Sequence, residues 1–138
     1  MNLEAIDHVG IAVDDLETAV ESYAAVLGLS PAHRERVEAQ GVEEVLFAVG
    51  GSYVQLLSAL GPDTPVGRFL ARRGPGVHHV AYRVPDVAAA LDDLRARGVR
   101  LVDEAPRPGS RGTTIAFVHP ASMEGVLVEL VQERRGGA

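Results

Sequence analysis

Apolar and polar positions alternate over residues 6–13, which predicts a strand. Val9, Ile11 and Val13 lie on one face, and Ile6, His8, Gly10 and Ala12 on the other. The period then lengthens. Leu16, Ala19, Val20, Tyr23 and Leu27 recur at helical spacing, so a helix runs to about Leu27. Asp14 or Asp15 can cap its start, and Gly28 can end it in the left-handed conformation. Alternating runs near 32–38, 43–49 and 52–57 predict three more strands, with Gly50-Gly51 as a tight turn between the last two. Pro65 opens a short helix with Val66, Phe69 and Leu70 on its apolar side, closed by Gly74. The plan then restarts. A strand spans 77–84, Asp86 caps a helix to about Arg97, and Gly98 closes it. Strands follow near 100–104, 113–119 and 126–132.

The restart is an internal repeat. With an offset of 71, residues 6–25 align with 77–96, and His8, Val9, Val13, Asp15, Ala19 and Ala25 meet His79, Val80, Val84, Asp86, Ala90 and Ala96. Two βα units share a pattern for trivial reasons, but matched histidines in matched strands point to duplication. The expected class is α+β: two tandem βαβββ modules forming a curled sheet around a metal-binding cleft. The expected organisation is a single domain over 1–133, with module one at 4–60, a linker at 61–75, module two at 76–133 and a frayed tail at 134–138.

Composition narrows the chemistry. The chain has 138 residues and a formal charge of −6, which argues against nucleic acid or an anionic membrane as partner. It has no cysteine, and all 13 of its basic residues are arginine. Disulfides, thiolate-ligated metals, thiol catalysis and Schiff-base or P-loop lysines are therefore excluded. No apolar run reaches membrane-spanning length, and Met1-Asn2-Leu3-Glu4 does not resemble a signal peptide, so the expected location is the cytoplasm.

Any metal must sit on His, carboxylate or amide groups, and four polar residues interrupt otherwise apolar strands. His8 and His79 lie on the first strand of each copy. Gln55 lies in Tyr53-Val54-Gln55-Leu56-Leu57 and Glu129 in Leu127-Val128-Glu129-Leu130-Val131, near the end of each copy. A single strand histidine is ordinarily a satisfied core or rim residue. Four such residues in duplicated positions point to a mixed nitrogen and oxygen site for a divalent first-row ion. A buried Gln or Glu among Val and Leu is costly unless paired or metal-bound. Gly10, Ala12 and Ala81 leave room beside the histidines. His78 aligns with Asp7 and has the opposite parity to His79, so it is left out. His33 and His119 have no repeat partner and read as surface or turn residues.

Ile6-Asp7-His8-Val9-Gly10-Ile11-Ala12-Val13 resembles the opening strand of the vicinal oxygen chelate (glyoxalase-like) superfamily. Further segments resemble its methylmalonyl-CoA epimerase family. These are Gln40-Gly41-Val42, Asp63-Thr64-Pro65-Val66, Gly76-Val77-His78-His79-Val80-Ala81-Tyr82 and Asp103-Glu104-Ala105-Pro106-Arg107-Pro108-Gly109. Phe117-Val118-His119-Pro120 with Gly125-Val126-Leu127-Val128-Glu129-Leu130 completes the set. The likeness runs from Ile6 to about Gln132. Ser58-Ala59 departs from the Glu-Pro found in many relatives.

The resemblance implies a metal-dependent epimerase that interconverts (2R)- and (2S)-methylmalonyl-CoA by α-proton abstraction through a metal-stabilised enolate. The ion implied is cobalt first, with zinc, manganese, nickel or magnesium as alternatives. The substrate is an acyl-CoA and the assembly a homodimer. The family's ligands fall on His8, Gln55, His79 and Glu129, and its catalytic glutamate on Glu44. Glu43 is the competitor on the opposite face of the same strand, and parity alone does not say which face lines the cleft. Two-sided proton transfer needs a second acid/base, for which Glu129 is the candidate. Burial can raise the pKa of Glu44 towards working pH. The loop 107–112 can present backbone N–H groups to an anion, or be a plain turn. Alternatives on the same scaffold are a lactoylglutathione lyase-like enzyme and a metal-free, drug-sequestering binder. A ring-cleaving dioxygenase fits less well, because Gln55 exceeds a two-His, one-carboxylate iron site.

Overall fold

The computed structural model describes residues 1–134, so the expected tail lies outside the described residues beyond Arg134. The chain divides into two compact units, one of His8–His78 and one of Met1–Asp7 with the residues from His79 onward. The strands of the first unit are β1 (Ala5–Ala12) from His8 onward, β2 (Pro31–Val37), β3 (Val42–Val49) and β4 (Ser52–Ala59). Their order is β2-β3-β4-β1. The β1–β4 pair is parallel and the other pairs are antiparallel. Parallel strands need a crossover, and helix α1 (Leu16–Leu27) begins it. Asp15 caps α1 by accepting the Thr18 N–H at 3.1 Å, and Gly28 ends it at φ 68°. Leu16 of α1 packs with Val45, Phe47 and Leu56 from one face of the sheet.

The opposite face carries His8, Gly10 and Ala12 from β1, and the register Gly10↔Gln55, Ala12↔Leu57, Leu46↔Gln55 and Glu44↔Leu57 adds their neighbours to it. Helix α2 (Pro65–Arg73) covers one end of this face, where Val66 and Phe69 pack against Ala12, Val37, Val42 and Leu57. The segment expected as a linker is therefore partly a structural layer of the first unit. Thr64 caps α2 by accepting the Gly67 N–H at 3.0 Å. A Cβ at Gly67 would stand 2.3 Å from the Gly61 carbonyl oxygen and 2.9 Å from that of Pro62. Alanine is the better helix former by about 1 kcal/mol. Gly67→Ala is nevertheless expected to destabilise the protein by about 1–3 kcal/mol, because the clash is with backbone that cannot rotate away. Urea unfolding of the two forms checks this.

In the second unit, β5 (Gly76–Arg83) pairs in parallel with β8 (Val128–Gln132), β8 pairs antiparallel with β7 (Thr114–Val118), and β7 with the short β6 (Arg107–Pro108). Helix α3 (Val87–Ala96), capped by Asp86, packs Val87, Ala90 and Leu91 onto Ala116, Val118, Val128 and Leu130. The strand expected near 100–104 is reduced to a single bridge between Leu101 and Val118. Its ladder is interrupted by a side chain. Val102 and Asp103 both donate their N–H to the Phe117 carbonyl, at 3.0 and 3.2 Å. Asp103 Oδ2 accepts the Phe117 N–H at 2.8 Å, taking the place of a backbone acceptor. The last strand pair then forms at Arg107–Pro108 instead.

Candidate active site

In the first unit, His8, Gln55 and Glu44 stand on one face of the sheet, each at most 6 % exposed. The strand register resolves what parity alone leaves open. Glu44 lies opposite Leu57 and shares the face of Gln55, whereas Glu43 lies opposite Ser58 on the other face. Glu43 there accepts from Arg34 Nε at 3.0 Å. Hydrogen bonds to Glu17 and then Glu43 raise the Arg34 pKa further above its already basic value. Glu43 is thus a surface ion-pair partner, and Glu44 the buried carboxylate. Gln55 Nε2 donates to Glu44 Oε1 at 3.1 Å. This bond fixes which way the amide points and leaves Gln55 Oε1, buried and without a hydrogen-bond partner among the described residues, as a spare acceptor.

The second unit repeats the arrangement with different chemistry. His79 lies on β5 and Glu129 on β8, where it is level with Ala81 and Phe117. His79 Nε2 is 3.1 Å from Glu129 Oε1, and both side chains are buried. Phe117 meets the His79 ring edge-on at 5.6 Å between centroids. The ring sets an apolar surface against the imidazole. A nitrogen and a carboxylate oxygen this close, in an apolar setting, suit either a hydrogen bond or a shared cation. Within each unit, then, the sequence-selected residues are brought onto one buried face. Imidazole nitrogen, amide oxygen and carboxylate are the donor types that divalent first-row ions take, and the spare, buried Gln55 Oε1 is an observation that fits such an ion.

The remaining histidines behave as side actors. His78 packs edge-on against Phe69 of α2 at 4.9 Å. His33 pairs with Glu35 at 2.8 Å on the partly exposed β2. His119 caps a turn, its Nδ1 accepting the Ala121 N–H at 2.9 Å. The loop 107–112 is a tight turn. Gly109 donates to the Thr113 carbonyl at 2.9 Å, and Thr113 donates back to the Ser110 carbonyl at 3.0 Å.

Sequence reasoning missed Asp7, which is fully buried. It accepts from Arg83 Nη2 at 2.9 Å and Nε at 3.1 Å, and from Arg111 Nη2 at 3.1 Å. The signal was present, because Asp7 is a charge inside an apolar strand, the same criterion that selected His8.

A sequence model described as the Glyoxalase/Bleomycin resistance protein/Dioxygenase superfamily matches residues 7–117, and the chain belongs to that superfamily. Its relatives narrow the class. A solved methylmalonyl-CoA epimerase in complex with methylmalonyl-CoA and NH4+ is 44% identical, with 97% of each chain covered and a TM-score of 0.94. The methylmalonyl-CoA epimerase structure from Mycobacterium tuberculosis is 42% identical over 96% of this chain and 89% of that one, with a TM-score of 0.92. An ethylmalonyl-CoA/methylmalonyl-CoA epimerase of Cereibacter sphaeroides is 35% identical over 92% of this chain and 96% of the relative. Within the superfamily the chain is a member of the methylmalonyl-CoA epimerase family, and the α+β fold of two βαβββ modules is that family's fold.

Proposed function

We propose that the protein is a metal-dependent epimerase that interconverts (2R)- and (2S)-methylmalonyl-CoA. On this reading the two modules act as one domain over 1–133, working as a homodimer in the cytoplasm. His8 and Gln55 of module one and His79 and Glu129 of module two hold one divalent ion, cobalt in the first place. Support comes from the duplicated positions of the two histidines, from the burial of all four side chains, and from relatives named for malonyl thioesters at 35% and 44% identity, above the 27% and 30% of relatives named as probable lactoylglutathione lyases.

The observation that carries the reading is the Glu44–Gln55 contact at 3.1 Å on a buried face. Epimerisation removes the proton between a thioester and a carboxylate from one side of the carbon and returns one to the other. It therefore needs a base facing the carbon, a second acid across from it, and stabilisation of the charge that develops on the thioester oxygen. A divalent ion held by His8, Gln55, His79 and Glu129 would supply that stabilisation as a Lewis acid. Glu44 takes the α-proton from one side, and the amide of Gln55 holds its carboxylate in place. Glu129, beside His79, is the acid/base for the opposite side. A carboxylate that also serves as a ligand is the weaker base of the two.

The test is turnover of a single diastereomer. Purified protein loaded with cobalt is expected to bring pure (2S)-methylmalonyl-CoA to an even mixture with the 2R form. The same protein should leave the hemithioacetal of methylglyoxal and glutathione unchanged. Turnover of the glutathione adduct alone would favour the lactoylglutathione lyase-like reading, and turnover of neither would favour the sequestering binder.

A further inference from the structure

The Asp7 cluster lies outside the groups that the proposed chemistry uses, yet it is costly. A buried carboxylate is tolerated only when it is paired and hydrogen-bonded. Asp7 is bridged by two guanidinium groups, Arg83 from β5 and Arg111 from the turn at residues 110–112. Arg83 also lies 3.1 Å from Glu133. Arg111 has φ 57° and ψ 24°, and Gly112 follows at φ 69°. A left-handed backbone is unfavourable for a residue with a Cβ, and it persists where the surroundings over-determine it. Here the surroundings include the Arg111–Asp7 bond and the turn's own bonds from Gly109 to the Thr113 carbonyl and from Thr113 to the Ser110 carbonyl.

The same loop reaches the His79–Glu129 pair from its other end. Arg107 lies 3.2 Å from Asp103 and stacks its guanidinium 5.5 Å from the centre of Phe117, the ring that meets His79 edge-on. Between them, Gly109 lies so close to Ile115 that a Cβ would stand 2.6 Å from its Cγ2. Ile115 is two residues from Phe117 on the same face. The loop 107–112 is thus tied down at both ends beside the proposed acid/base, by Arg107 on one side and by Arg111 on Asp7 on the other.

We propose that Asp7, acting through Arg111, is a positioning residue that holds the loop 107–112 as a fixed wall for the acyl group of the substrate. The inference rests on the epimerase reading above. Ordering the loop before binding removes an entropy cost that the substrate would otherwise bear. Its loss therefore weakens acyl-CoA binding first and the chemical step second.

Arg111→Gly separates this role from a merely structural one. Glycine adopts the left-handed conformation without strain, and Asp7 keeps both bonds from Arg83. The fold is therefore expected to be kept, with the melting temperature lowered by the loss of the Arg111 bond to Asp7 Oδ2. The KM for methylmalonyl-CoA is expected to rise about tenfold with a smaller change in kcat. The amides of Gly109 and Thr113 are expected to exchange with deuterium faster in the absence of substrate. An unchanged KM overturns the inference, even with faster exchange, because the loop would then be ordered to no effect. A raised KM with unchanged exchange also overturns it, because Arg111 would then act by touching the substrate directly. If the wild type fails to epimerise, the reading of the site fails and this inference with it. A wild type that epimerises beside a variant with unchanged KM sinks the inference alone.

Discussion

Glu44→Gln is expected to lower the rate of α-proton removal by about a factor of 10² to 10⁴, the usual contribution of a general base. The substitution isolates basicity from shape. Glu44 is 1 % exposed, so a truncation would leave a cavity, whereas glutamine fills the same volume. Its amide oxygen can still accept from Gln55 Nε2, which now donates at 3.1 Å. The β3–β4 register is untouched and the melting temperature should change little. Single-turnover exchange of the α-proton, read beside thermal unfolding, checks both halves of the statement. Glu43→Gln is the matched control. It weakens only an exposed pair with Arg34, so its effect on turnover should be slight.

Stripping the ion with a chelator is expected to abolish epimerisation, and added cobalt to restore it. Stabilising charge on the thioester oxygen amounts to several kcal/mol, or roughly three or more powers of ten in rate. His79→Ala should reproduce the loss even in excess cobalt. It removes one of the proposed ligands and also leaves Glu129, buried and now 3.1 Å from His79 Nε2, without that neighbour. The visible absorption of bound cobalt reports binding independently of turnover, and should weaken in His79→Ala but not in Glu44→Gln. Full activity after exhaustive chelation would show that the histidines and Gln55 serve another purpose.

The repeat made much of this legible in advance. Local signals located β1, α1 with its Asp15 cap and Gly28 terminus, and α2 between Pro65 and Gly74, because each depends on spacing within a few residues. The site residues stood out because each is a polar group in an apolar strand. Three features were not legible, each for a physical reason. The choice between Glu43 and Glu44 depends on which strands flank β3, and only the Glu44↔Leu57 register decides it. The loss of the strand near Leu101 depends on the Asp103 side chain reaching Phe117, a contact across 14 positions. The Asp7 cluster joins residues 76 and 104 positions apart, and no local pattern pairs one buried carboxylate with two of thirteen arginines.

The central claim is that Glu44 removes the α-proton of a malonyl thioester and that a proton returns from the other side. Incubating the cobalt-loaded protein with one diastereomer of methylmalonyl-CoA in deuterated water tests it most directly. The α-proton signal and the proportion of the second diastereomer are followed together, for wild type and Glu44→Gln. The account predicts deuterium in the inverted product with the wild type and almost none with the variant. Inversion without loss of the α-proton, or undiminished inversion in Glu44→Gln, would contradict it.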